Sequence, residues 1–234
     1  FPPTSEKPPM SLTPAPVTTD VAILERVAIH PLAVRITHWI NAAAIVVMVM
    51  SGWRIYDASP LFGFSFPREI TLGGWLGGAL QWHFAAMWLV VVNTIVYLGY
   101  GVVSGHFRRS FFPITVLSVL RDIASALRGR LSHKVGVYNS VQRVSYVGVT
   151  AAIVMTILSG LAIWKPTQFK ALAFLMGGYE GGRLVHFFGM ATIVAFVVIH
   201  LALVLIVPST FFPMISGWAR KRMGRTAPAA KEFS

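Results

Sequence analysis

Four stretches of this chain are apolar enough to dictate where the backbone can reside. They run from about Ile36 to Trp53, within Trp75–Val103, from about Val144 to Trp164, and from Leu184 to Val207. Each has about 18 or more mostly apolar residues, sufficient to cross a hydrocarbon core of ~30 Å as a helix. None contains Asp or Glu. In a bilayer the backbone must satisfy its own hydrogen bonds, and a helix does so within one segment. A large soluble bundle would need polar faces on these stretches, and they have none. Charged residues make up only 12 % of the chain, against roughly a quarter in a soluble domain. The expected fold is therefore all-α: an integral membrane four-helix bundle.

The formal net charge is +12. The Lys and Arg residues flank the apolar runs, so they read as orientation signals rather than a nucleic-acid surface. With the N-terminus in the cytoplasm, fifteen of them lie inside and five outside, the latter being Arg54, Arg68, Lys165, Lys170 and Arg183. The bias predicts both termini in the cytoplasm. The segment Pro113–Lys134 is too polar to span. Ile114, Leu117, Leu120, Ala124 and Leu127 fall at helical spacing with Arg121 and Arg128 elsewhere, which predicts a cytoplasmic amphipathic helix lying on the lipid surface. Residues 1–20 are rich in Pro, Ser and Thr, lack the apolar core of a secretory signal, and read as a disordered tail. The outer loops containing Phe62–Pro67 and Phe169–Gly182 are apolar and glycine-rich, which suits a docking surface.

There is no cysteine. Disulfides, iron–sulfur clusters, thiolate zinc sites and covalent haem attachment are thereby excluded. Any metal must be held by histidine, methionine or carboxylate. Of the seven histidines, His38, His83, His186 and His200 fall inside apolar runs, where an ionisable group is costly and usually functional. His186 and His200 are 14 residues apart on one helix. That is ~40° short of whole turns and ~21 Å of rise, so both face about one direction at opposite membrane levels. Topology places His38 at the inner level and His83 at the outer. Depth therefore pairs His38 with His200, and His83 with His186. Two levels of two histidines each is what two bis-histidine haems require. Taken singly, a membrane histidine more often hydrogen-bonds a neighbouring helix; the depth-matched set of four favours iron.

Gly52 follows His38 by 14 residues and so shares its face at the outer level; there, and at Gly160, the missing side chain would let a haem lie close to the helix. Arg35, one turn before His38, is a candidate partner for a haem propionate or an ordinary positive-inside anchor. Arg35-x-x-His38 with Ser51-Gly52 is echoed, 108 residues later, by Arg143-x-x-Tyr146 with Ser159-Gly160. Chance is the simpler explanation of that echo. His30, His106 and His133 lie outside the apolar runs and read as surface residues.

Arg35-Ile-Thr-His38-Trp39, Ser51-Gly52, His83, Tyr138-Asn139-Ser140-Val141-Gln142-Arg143 and the His186…His200 pair together resemble the bacterial di-haem cytochrome b subunits. That class includes bacterial cytochrome b561, the cytochrome b of nickel–iron hydrogenase and the gamma subunit of formate dehydrogenase. The resemblance covers roughly Ile29 to Arg225. It divides the chain into a tail of residues 1–28, a four-helix di-haem domain of residues 29–225, and a C-terminal tail of residues 226–234. It implies two haem b groups, a bacterial inner-membrane location, and electron exchange with a quinone (ubiquinone or menaquinone) near the inner haem. Asn139 and Gln142 match the Asn-x-x-Gln pattern of the formate dehydrogenase quinone pocket, although Val141 replaces the glycine that the pattern carries there. Asn139 also reads as an N-cap of the third span.

No catalytic triad, nucleotide loop or carboxylate pair is present, so the chain reads as an electron conduit and membrane anchor rather than a catalyst in its own right. The resemblance implies a periplasmic catalytic partner, a molybdopterin enzyme or hydrogenase. The alternative is a stand-alone cytochrome b561-type superoxide:quinone oxidoreductase. A transporter is disfavoured by the lack of span carboxylates.

Overall fold

The computed structural model describes residues 23–111, 115–128 and 140–223. Four long helices dominate: α1 (Leu32–Ala58), α2 (Leu76–Val103), α5 (Ser140–Trp164) and α7 (Gly178–Ile206). All four are long and apolar enough to cross a membrane, so the expectation of an all-α membrane bundle is borne out. Helices α1, α5 and α7 run past one or both ends of their apolar stretches, because helices continue into the interfacial region where polar residues are tolerated.

Shorter helices occupy the connections: α3 (His106–Phe111), α4 (Val116–Leu127), α6 (Lys170–Leu175) and α8 (Phe211–Ser216). The segment expected to be amphipathic contains α4, whose Val116, Leu117, Leu120 and Ile123 are exposed. Left uncovered by the described residues, those side chains suit an acyl-chain boundary. Two elements were not foreseen. Strands β1 (Ile23–Ala28) and β2 (Trp218–Met223) pair in a two-stranded sheet. Within the stretch expected to be a tail, residues 23–28 thus form a strand, and residues 1–22 lie outside the described residues. By internal contacts the chain divides into Val27–Ala219 and a second unit made of Phe1–Arg26 with Arg220–Ser234.

The bundle is built from two antiparallel pairs. Helix α1 packs chiefly on α2, and α5 on α7, with only slight contact between α2 and α5. Small residues make close approach feasible. The buried residues of the four long helices include Ala44, Ala79, Ala86, Ala162 and Ile193, and the largest fully buried side chains are Ser51 and Ser159. Large apolar residues such as Trp88, Val92, Ile95, Leu203 and Leu205 point outward instead. This inverted distribution fits a lipid solvent.

Polar contacts tie neighbouring elements together. Asn93 Nδ2 donates to the Thr37 carbonyl at 2.8 Å, joining α2 to α1 in a buried setting. The Ser140 N–H, at the start of α5, donates to the Asp122 carboxylate of α4 at 2.6 Å. That carboxylate satisfies one of the unpaired donors of a helix N-terminus and sits favourably in its dipole. At the other end of the bundle, Arg183 of α7 pairs with Glu180 at 3.0 Å and donates to the Ser59 carbonyl just beyond α1.

Candidate functional site

The four span histidines come together in the two pairs that depth arithmetic predicts. The ring centroids of His38 (α1) and His200 (α7) are 6.3 Å apart with an interplanar angle of 63°. Those of His83 (α2) and His186 (α7) are also 6.3 Å apart at 63°. Both pairs bridge the two helical hairpins. The spacing is informative. A metal–imidazole bond is about 2 Å and each ring centroid lies roughly 1 Å behind its bonded nitrogen, so two imidazoles on opposite sides of one metal ion have centroids about 6 Å apart. Direct ring contact would bring them closer. The donor sets therefore fit two metal centres, each of which a pair of imidazoles would hold, with their α7 ligands ~21 Å apart at the helical rise per residue.

The outer pair is tightly supported. His83 Nδ1 lies 3.1 Å from Ser51 Oγ of α1. His186 Nδ1 lies 3.1 Å from Ser159 Oγ of α5 and 3.0 Å from the Thr156 carbonyl. Beside each serine stands a glycine. A Cβ on Gly52 would come 3.4 Å from His83 Cε1, and one on Gly160 would come 3.2 Å from His186 Cε1. The glycines thus let each neighbouring helix lie flat against an imidazole. Above this level Trp53 stacks on Phe66 at 4.8 Å, and Tyr56 and Phe187 pack with Phe62 and Phe64. Part of the apolar outer loop is therefore folded back onto α1 and α7. Phe174 and Leu175 of the second outer loop remain 83 % and 79 % exposed, available to lipid or to another protein.

The inner pair is supported differently. His38 meets Trp39 edge-on at 5.1 Å, and His200 stacks on Phe196 at 5.7 Å and 9°. His38 Nδ1 is buried without a hydrogen-bond partner. Arg35 donates through Nη2 to the Ile215 carbonyl of α8, while its Nε is buried with no hydrogen-bond partner among the described residues. An unpartnered guanidinium N–H one turn from His38 matches the propionate role considered for it. The chain closes over this end through Gly217, whose φ of +84° is one that L side chains rarely adopt. A Cβ there would lie 2.9 Å from Arg35 Nη1. His30 and His106 lie outside the spans, and burial lowers both pKa values from the usual histidine range. Neutral imidazoles at this face are the consequence at pH 7.

Gln142 sits half-buried in the first turn of α5. Asn139 and His133 lie outside the described residues. Reading the sequence alone did not identify Ser51, Ser159 and Thr156 as partners of the outer histidines. The signal was present in the 108-residue echo, which the structure explains: each Ser-Gly pair cradles one outer histidine.

The family model for the prokaryotic cytochrome b561 proteins matches residues 29–217. A protein of Azospira oryzae named as a protein-methionine-sulfoxide reductase subunit, YedZ1, is 53 % identical over 191 residues, covering 81 % of this chain and 96 % of that protein. Two chains named as Ni/Fe-hydrogenase B-type cytochrome subunits are more distant. The one from Cupriavidus necator is 26 % identical over 191 residues, covering 74 % of this chain and 76 % of its own length. That from Bradyrhizobium diazoefficiens is 25 % identical over 192 residues, with 75 % and 76 % covered.

Proposed function

The chain belongs to the prokaryotic cytochrome b561 family, and on that premise we propose that it is the di-haem, quinone-linked membrane subunit of an outward-facing reductase. As an integral membrane cytochrome b it serves electron transfer; the number of haems, the quinone and the partner are our reading. The observation that carries it is the matched pair of histidine pairs, each with 6.3 Å between ring centroids. His38 and His200 would hold the inner haem, and His83 and His186 the outer. Arg35 would pair with an inner propionate. Gly52 and Gly160 would keep the outer helices close. When bound, the two haems supply one-electron carriers at both membrane levels, spanning the bilayer.

The residues of the chain do the positioning. The four imidazoles fix the iron positions, and the apolar exterior keeps water and lipid headgroups from the spans. Gln142, in the first turn of α5, and Asn139, next before that helix in the sequence, would line a quinone site on the inner side, with both termini in the cytoplasm. The positive-inside bias supports that orientation. The catalytic partner would dock on the outer side. The relative that is 53 % identical is named as a methionine-sulfoxide reductase subunit, which favours a sulfoxide-reducing partner of the molybdopterin class over a hydrogenase. A reductase consumes electrons, so they would pass from quinol on the inner side to the partner outside.

The test is to purify the chain in mild detergent from its native host. A haem protein that copurifies with a soluble reductase subunit, and whose haems are reduced by a quinol, is the expected result. A haem protein with no partner that is reduced rapidly by superoxide would replace this reading with the stand-alone oxidoreductase.

A further inference from the structure

Each outer histidine is held by hydroxyl chemistry from the helix beside it, and the donors can be assigned. The Ser51 hydroxyl donates to the Val47 carbonyl of its own helix at 2.6 Å. The serine oxygen lies 3.1 Å from His83 Nδ1, and His83 also hydrogen-bonds the Met48 backbone. A carbonyl only accepts, so Nδ1 is the donor and the serine oxygen accepts. On the other hairpin, the Ser159 hydroxyl donates to the Thr156 carbonyl at 3.0 Å. His186 Nδ1 lies 3.1 Å from that serine oxygen and 3.0 Å from the same carbonyl. A carbonyl only accepts, so Nδ1 must be the donor there. Both outer rings thus carry their proton on Nδ1 and present the Nε2 lone pair to the space between the hairpins.

We infer that Ser51 and Ser159 are paired positioning residues that fix the tautomer of both outer histidines and set the reduction potential of the iron they hold. The inference rests on the haem reading proposed above. An acceptor on Nδ1–H raises the basicity of the coordinating nitrogen and so favours the ferric over the ferrous state. The inner site is built otherwise, since His38 Nδ1 has no hydrogen-bond partner among the described residues. The outer iron is therefore tuned through the serines independently of the inner one. The two serines act alike: His186 keeps the Thr156 carbonyl when Ser159 is truncated, and His83 keeps its backbone hydrogen bond to Met48 when Ser51 is truncated.

The experiment is an optical redox titration of the purified full chain, with haem quantification, on wild type, Ser51→Ala, Ser159→Ala, the double variant and Ser51→Thr. Two haems per chain in Ser51→Ala, with the outer haem's reduction equilibrium moved about three- to tenfold toward the reduced form, is expected; for a one-electron couple tenfold is about 59 mV. Ser159→Ala should move it by a similar amount, and neither variant should move the inner haem. Ser51→Thr, which keeps the hydroxyl, should return the potential toward wild type. Loss of the outer haem in Ser51→Ala with its retention in Ser51→Thr also carries the proposal. Two retained haems with unchanged potentials, equal shifts in both haems, or outer-haem loss in both Ser51 variants would overturn it. A wild-type protein without haem would instead defeat the reading on which the inference rests.

Discussion

The outer and inner histidine pairs have the same separation and the same interplanar angle, yet their surroundings have little in common. At the outer level a serine and a glycine from the adjoining helix press on each ring, and an aromatic cluster closes the end. At the inner level one ring leans on Trp39 and the other on Phe196, a guanidinium and the α8 segment stand nearby, and His38 Nδ1 has no protein partner. The distance between ligands is thus a property of helix placement, common to both ends. The orientation and electronic character of the rings are local properties. The outer end is closely packed around its imidazoles. At the inner end His38 Nδ1 and Arg35 Nε have no hydrogen-bond partner among the described residues, which leaves the guanidinium for the propionate role proposed above.

That contrast can be broken most severely at the axial ligands. His83→Ala should remove the outer haem and leave the inner, halving the haem content measured by pyridine haemochrome. Loss of both together would mean that the two levels are not independent.

A smaller effect is expected at the glycines. Gly160→Ala should lower outer-haem occupancy more than Gly52→Ala, because its Cβ would approach the imidazole at 3.2 Å rather than 3.4 Å. Crowding of this kind costs about 1–3 kcal/mol. Haem retained per chain after a heat challenge reads it. An equal or reversed order would show that the glycines serve packing elsewhere.

Arg35→Gln probes the inner end alone. It removes the donor to the Ile215 carbonyl and the guanidinium beside His38. A single hydrogen bond to a charged group contributes about 1.5–3 kcal/mol, so the inner haem should be less stably bound and its spectrum shifted, with the outer band unchanged. A shift confined to the outer band would contradict the assignment of levels.

The mildest change is Asp122→Ala. Losing the carboxylate that receives the Ser140 N–H should cost about 1 kcal/mol of stability. Quinol KM serves as the discriminating readout. A raised KM with little loss of stability would tie the start of α5 to the quinone site, and the reverse would leave it a structural cap.

Much of this organisation was legible in the chain. The spans were visible because apolar runs without carboxylates have few other fates, and the histidine pairing followed from helix rise and alternating direction. The serines escaped notice because a buried hydroxyl resembles ordinary helix packing until its partner on another helix is known. Strands β1 and β2 were missed because a two-stranded sheet joins segments nearly 200 residues apart, and local pattern does not report such pairing. Helix α4 was seen through its spacing, but the Asp122 contact to Ser140 is tertiary and left no local trace.

The central claim is that two iron centres are held by two depth-matched histidine pairs. Its most direct test is a reduced-minus-oxidised optical spectrum with haem quantification on wild type, His186→Ala and His200→Ala. Two b haems per wild-type chain, with a different one lost in each variant, is the expected result. No haem, or haem loss unrelated to which histidine is removed, would contradict the account.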